Sequence, residues 1–137
     1  MEQKVDKLTQ ALLDIVSGNT LYSGSYRDVF QAITKAGADA LNAPRVSIWM
    51  YDEDRALIHC LDLYENGTHS EGAELLRADF PAYFSALKKD GVIRADDAHS
   101  NVATKEFSET YLKPLGICSM LDAPIRFDEN SLVATFE

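Results

Sequence analysis

Apolar positions along this chain change period several times, and each change marks an element. Val5, Leu8, Leu12 and Ile15 recur at 3-4-3 spacing, with Leu13 and Val16 broadening the stripe, which predicts a helix over 3–17. That spacing fits two heptads of a coiled coil and fits equally well a helix packed on its own domain. Ser17, Gly18, Asn19 and Gly24 break it with a loop. A second helix is predicted over 25–42, started by Ser25 with Asp28 three residues on, and ended by Asn42 and Pro44. Its apolar face runs from Tyr26, Val29, Phe30 and Ile33 to Leu41. The small residues Ala36, Gly37 and Ala40 on that face let a sheet come close.

The period then falls to two. RVSIWMY (45–51) puts Val46, Ile48 and Met50 on one face and Ser47, Trp49 and Tyr51 on the other. DEDR (52–55) is turn chemistry, and ALIHCLDLY (56–64) completes a hairpin. ENGTHSEG (65–72) reads as a polar loop, and ELLRAD (74–79) as a short strand. PAYFSALKKD (81–90) is a helix opened by Pro81 and closed by Gly91. VIRA (92–95) is a short strand and ADDAHSN a loop. TKEFSETYL (104–112) is a helix stopped before Pro114. GICSMLDAPIRF (116–127) is a long strand, DEN (128–130) a turn, and SLVATFE (131–137) the last strand. Strands that are neighbours in sequence and joined by turns make a largely antiparallel sheet. The expected class is α+β: a central antiparallel sheet of five to six strands with the N-terminal helices on one face. Short helices and loops roof the other face, where a ligand pocket would form.

Composition narrows the function. The 137 residues make one domain, and 46% hydrophobic with 26% charged residues is an ordinary globular balance. A net charge of −9 without a basic patch excludes nucleic acid and anionic membrane as partners. No apolar run approaches the ~18 residues a membrane helix needs, and MEQKVDKLTQ lacks the apolar core of a secretory signal, so a cytoplasmic protein is expected. Cys60 and Cys118 form no CxxC and lie in strand-like runs, so both are expected to be buried thiols.

Three stretches, FPAYFSAL, VIRADDA and YLKPLGICSMLDAPIRF, followed by a hairpin into SLVATFE, resemble the GAF domain in order and spacing. RVSIWMYDED resembles that family's first strand and turn. The resemblance covers roughly residues 10–137. It implies a GAF/PAS-like fold and a regulatory role in a histidine kinase, diguanylate cyclase, phosphodiesterase or transcription regulator. It also implies a small-molecule ligand, an output domain, and a homodimer. Such domains usually continue into a C-terminal helix, so the chain is expected to be a piece of a longer signalling protein. KEFSETYL lacks the cysteine that carries a covalent bilin, and the cyclic-nucleotide signature is missing. The alternatives are a ligand-free dimerisation module and an enzyme like the GAF-related free methionine sulfoxide reductases. The latter needs a reactive thiol and a partner, and neither cysteine lies in the polar loops.

The candidate ligand-binding residues follow from the roofed face. Trp49 and Tyr51, with Phe80, Tyr83 and Phe84, would line a cleft suited to a flat molecule, or equally fill a core. Asp122 sits mid-strand among apolar residues. With Met120 it would face the pocket, held by backbone, by a side chain such as Tyr83, or by a ligand. Asp97 and His99 would lie in the lid, with Asp97 either closing a turn or touching ligand. His59 is a strand histidine at an edge or at the ligand. No metal pattern, Ser-His-Asp order, Gly-rich phosphate loop or HExxH is present, so no catalytic residue is expected.

Overall fold

The computed structural model describes residues 26–89, 91–127 and 130–137. The helix expected over 3–17 lies outside the described residues. Helix α1 (Tyr26–Leu41) carries Asp28 in its first turn, where a carboxylate complements the helix dipole. It stops at Asn42, whose φ of 53° is a left-handed conformation that asparagine tolerates. Strands β1 (Arg45–Tyr51) and β2 (Leu57–Glu65) form the expected hairpin. Then come β3 (Thr68–Ser70), β4 (Glu74–Leu76), α2 (Pro81–Lys89) and β5 (Ile93–Ala95). The chain closes with β6 (Met120–Phe127) and β7 (Asn130–Phe136).

The sheet runs β3-β2-β1-β7-β6-β5, with β4 also paired to β2, and every pairing is antiparallel. It has seven strands where five to six were expected. The extra one is β3, inside the stretch read as a polar loop. THS has no apolar alternation of its own; pairing with Leu63–Glu65 of β2 makes it a strand. The last strand lies beside the first, and Arg45 and Glu137 exchange backbone hydrogen bonds of 3.3 and 2.9 Å.

Two segments differ from their sequence reading. Residues 104–112 are not one regular helix but a 3-10 turn (Lys105–Phe107) followed by a π-helical turn (Ser108–Leu112). A single α-helical turn, α3 (Lys113–Leu115), then includes Pro114 instead of stopping before it, because proline fits a first helical turn. Strand β6 begins at Met120, not at 116, which leaves Cys118 exposed in a loop. The expectation that both cysteines are buried holds for Cys60 alone.

α1 covers β1 and β2. Gly37 sits where a side chain would crowd: a Cβ there would lie 3.1 Å from the Phe136 ring. Beneath the helix, the Thr34 hydroxyl donates to Asp62 Oδ2 at 2.6 Å, and His69 Nδ1 lies 2.8 Å from the same oxygen. Asp62 reaches this side through a bulge. Ile48 pairs with Asp62 but Trp49 with Cys60, so Leu61 is the extra residue. The bulge turns Asp62 and Tyr64 towards α1 but Ile58 and Cys60 towards the opposite face. On that face Trp49, Cys60, Met120 and Val133 form the main core with Tyr83, Phe84 and Leu87 of α2 and with Phe107 and Leu112. On the α1 side of β6, Leu121 and Ile125 stay 37% and 41% exposed.

Thr34→Val keeps the shape and removes one partner of the buried Asp62 carboxylate. It is expected to lower stability by about 1–3 kcal/mol in urea unfolding, with no change in m-value.

Candidate functional site

Strand alternation turns Met120 and Asp122 of β6 towards the roof, and Thr135 of β7 stands directly opposite Asp122. Asp122 is fully buried. Its Oδ2 accepts a very short hydrogen bond from the Tyr83 hydroxyl and a 3.2 Å bond from Thr135 Oγ1. Its Oδ1 has no hydrogen-bond partner among the described residues. Tyr83 is presented by α2, whose first free backbone N–H groups, on Ala82 and Tyr83, donate to Glu106 Oε1 at 2.9 and 3.2 Å. A carboxylate there compensates the helix start.

Trp49, Leu75, Phe107, Tyr111 and Met120 close around Asp122, leaving a cavity of about 10 Å³. That is the space of one water molecule. Phe80 stacks on Phe107 with centroids 4.3 Å apart, and Tyr83 meets Phe107 edge-on at 4.9 Å. Trp49 Nε1 donates to Ser47 Oγ at 2.8 Å, so the indole is satisfied without a ligand.

A second buried acid lies further along the same face. Tyr111, aimed inward by the π turn, donates to Glu137 Oε1 at 2.9 Å, and Arg45 Nε approaches that oxygen at 3.5 Å. Arg45 also pairs with Glu65 at 2.8 Å. Glu137 Oε2 is buried without a partner. Burial pushes the Asp122 carboxyl from 3.8 up to about 7; the Tyr83 bond opposes this and the Glu137 charge adds to it. Burial also raises Glu137, against the Tyr111 bond and Arg45. Tyr83 is pushed well above the usual phenol range by burial and by Asp122. The interior therefore offers a carboxyl that protonates near neutrality, beside an unmet acceptor.

Of the residues singled out from sequence, Trp49, Tyr83, Met120 and Asp122 come together at this cavity. Phe80 backs it through Phe107. Phe84 packs edge-on against Tyr83 at 5.7 Å and against Tyr51 at 6.1 Å, on the far side of α2, and Tyr51 faces away from the cavity. His59 pairs with Met50 and lies on the α1 face, opposite the aromatic set, because the bulge comes after it. Asp97 is exposed and accepts the His99 backbone N–H at 3.1 Å, a turn bond. His99 ties the lid loop down: Nδ1 lies 2.7 Å from Ser108 Oγ and Nε2 3.1 Å from the Ile117 carbonyl. Phe107, Tyr111, Thr135, Arg45 and Glu137 were not singled out. Alternation in SLVATFE places Thr135 and Glu137 on one face with Val133, but nothing local announces the π turn that delivers Tyr111. Among the described residues no three His, Cys, Asp or Glu side chains converge as a metal site requires.

The model of the GAF domain family matches residues 25–137. The chain belongs to the GAF domain family. Solved structures share its fold at low identity. The GAF domain of an Acinetobacter phosphoenolpyruvate-protein phosphotransferase superposes with a TM-score of 0.63 at 17% identity, covering 97% of this chain and 76% of that one. The phycocyanobilin-bound GAF domain of a cyanobacterial phytochrome gives 0.65 at 21%, covering 97% and 79%. The free methionine-R-sulfoxide reductase of Neisseria meningitidis, solved with its substrate, gives 0.67 at 10%, covering 98% and 72%. No curated protein matches the chain.

Burial, with the nearby Asp62 charge, pushes the Cys60 thiol up to about 12. Cys118 precedes β6, three strand spacings from β2, which is roughly 14 Å. The two cannot pair without moving backbone. Ellman titration of the native protein is expected to modify Cys118 alone; Cys118→Ser should abolish the native reaction, and Cys60 should respond only on unfolding.

Asp122 sets a pH dependence. Unfolded, it ionises near 3.8; folded, near 7, so between these values the folded state binds the extra proton. Its contribution to stability therefore falls as pH rises from about 4 to about 7 and is level above, by at most ~4 kcal/mol. Asp122→Asn is expected to flatten this slope in urea unfolding measured across that window.

Proposed function

We propose that this GAF domain is the regulatory sensory unit of a cytoplasmic signalling protein, and that its interior takes up a small molecule bearing a hydrogen-bond donor. One observation carries the reading: Asp122 Oδ1 is buried, unpartnered and set at an aromatic-walled cavity. An unmet buried acceptor costs about 1–3 kcal/mol, which a donor on a ligand would offset. A flat donor-bearing ring would fit between Trp49, Phe107 and Tyr111 once the roof of α2 and the lid loop moves outward. The domain itself does no chemistry in this reading. The ligand shifts the roof, and the change reaches an output domain through the terminal helices, limited by the ligand's differential affinity for the two arrangements. A homodimer would let that shift act on an interface.

A cavity of about 10 Å³ favours a second reading, in which a water meets Asp122 Oδ1 and the aromatics are the core of a ligand-free dimerisation module.

Thermal-shift screening against cyclic nucleotides, nucleobases, amino acids, haem and small aromatic acids separates the two. A ligand at 100 times its dissociation constant adds ~2.7 kcal/mol, several degrees in a domain of this size. The sensory reading expects a saturable rise that Asp122→Ala removes. Flat melting curves throughout, together with a stable dimer by light scattering, would support the dimerisation module.

A further inference from the structure

We propose that the chain carries a separate ligand site, on the far side of α2 from Asp122, built for a small organic anion with a flat ring. The β1–β2 turn, the segment after β4 and the outer face of α2 enclose an open cleft of about 680 Å³. That size lies within the range of small-molecule sites. Its apolar walls are Tyr51, Phe84, Leu76 and Pro81, and its charged groups are Arg55, Arg77 and Lys88.

The charge is the first argument. The chain has 13 basic residues against 22 acidic ones, yet three basic side chains and no acidic one line this cleft. No carboxylate among the described residues pairs with Arg55, Arg77 or Lys88. The N–H groups of Ala82 and Tyr83 at the start of α2 are already taken by Glu106, so an anion here would be met by side chains. Guanidinium groups suit carboxylate and phosphate oxygens in paired geometry.

The second argument is backbone conformation. Arg55 has a φ of 56°, in the left-handed region. The other described non-glycine residues there are Asn42 and Asn66, a type that tolerates it. Asp52 closes the turn around it: its carbonyl accepts the Arg55 N–H, and its Oδ1 the N–H groups of Ala56 and Leu57 at 2.8 and 3.2 Å. The guanidinium lies 5.1 Å from the Tyr51 ring centroid and donates to Ser131 Oγ at 2.9 Å, between this cleft and a neighbouring one lined by Ser131 and Ile125. An outlier of this kind points to function. A ring would lie against the Tyr51 and Phe84 wall, with its anionic group reaching Arg55, Arg77 and Lys88.

NMR titration of the ¹⁵N-labelled 137-residue chain with phenyl phosphate, benzoate, inorganic phosphate and benzyl alcohol tests this. Phenyl phosphate or benzoate is expected to give saturable shifts confined to residues 51–56 and 76–88, leaving the Trp49 indole unmoved; which binds tighter tells phosphate from carboxylate. Inorganic phosphate and benzyl alcohol should each bind at least about tenfold more weakly, as each lacks half of the recognised chemistry. Arg77→Gln should weaken phenyl phosphate about tenfold. Arg55→Gly should abolish binding while the melting temperature holds or rises, because glycine suits the turn. Absence of saturation by ~10 mM, or shifts centred on Trp49, would overturn the proposal. So would inorganic phosphate binding as tightly as phenyl phosphate, or a hexaglutamate peptide binding more tightly, which would mark a docking groove for acidic protein. Arg55→Gly that melts lower and still binds would reduce Arg55 to a clamp on Ser131. Since these shifts are read at the cleft, their outcome is independent of whether the Asp122 cavity takes a ligand.

Discussion

The hydrogen bond between Tyr83 and Asp122 joins the roof of this domain to its sheet. Asp122 comes from β6, its second partner Thr135 from β7, and Tyr83 from α2, so one buried carboxyl gathers three elements. Burying a carboxyl is costly, and among the described residues the Tyr83 and Thr135 hydroxyls compensate it. They meet one oxygen and leave the other bare. The rest of the roof is placed around that compromise. Glu106 compensates the start of α2, Phe107 packs against Tyr83, and the π turn carries Tyr111 to Glu137.

The two faces of the sheet solve burial differently. On the α1 side the polar centre is Asp62, satisfied by Thr34 and close to His69, under a helix brought near by Gly37. On the roof side the polar centres are Asp122 and Glu137, each short of one partner. A structural carboxyl would be expected to resemble the first kind. The contrast sets the roof side apart from the α1 side.

α2 stands between two unlike spaces. Inside it is a small, aromatic-walled cavity with the Asp122 carboxyl; outside it is an open cleft whose charged groups are all basic. Tyr83 faces the first and Phe84 the second, and the two rings meet edge-on at 5.7 Å. The helix is nine residues long; Glu106 holds its first turn, Tyr83, Phe84 and Leu87 anchor it in the core, and the chain turns beyond it at Gly91, with φ of 80°.

The sequence by itself determined the α+β class and the β1–β2 hairpin, and its resemblance to the GAF domain pointed to the family. The first two rest on local period and turn chemistry, while the sequence left Tyr83 as one of several partners open to Asp122. It could not show β3, because a polar triplet becomes a strand only when a neighbour supplies hydrogen bonds. It could not place His59, because burial in β2 alternates without a break through the bulge while the buried side changes. The helix expected over 104–112 was lost to 3-10 and π turns for a related reason: packing of Phe107 and Tyr111 under the roof overrides backbone preference. Whether Trp49, Tyr83 and Met120 line a cup or fill a core was open from residue types, since both need the same apolar side chains. The tertiary structure adds the size of the space around Asp122, about 10 Å³, because that space is set by distances between segments far apart in the chain.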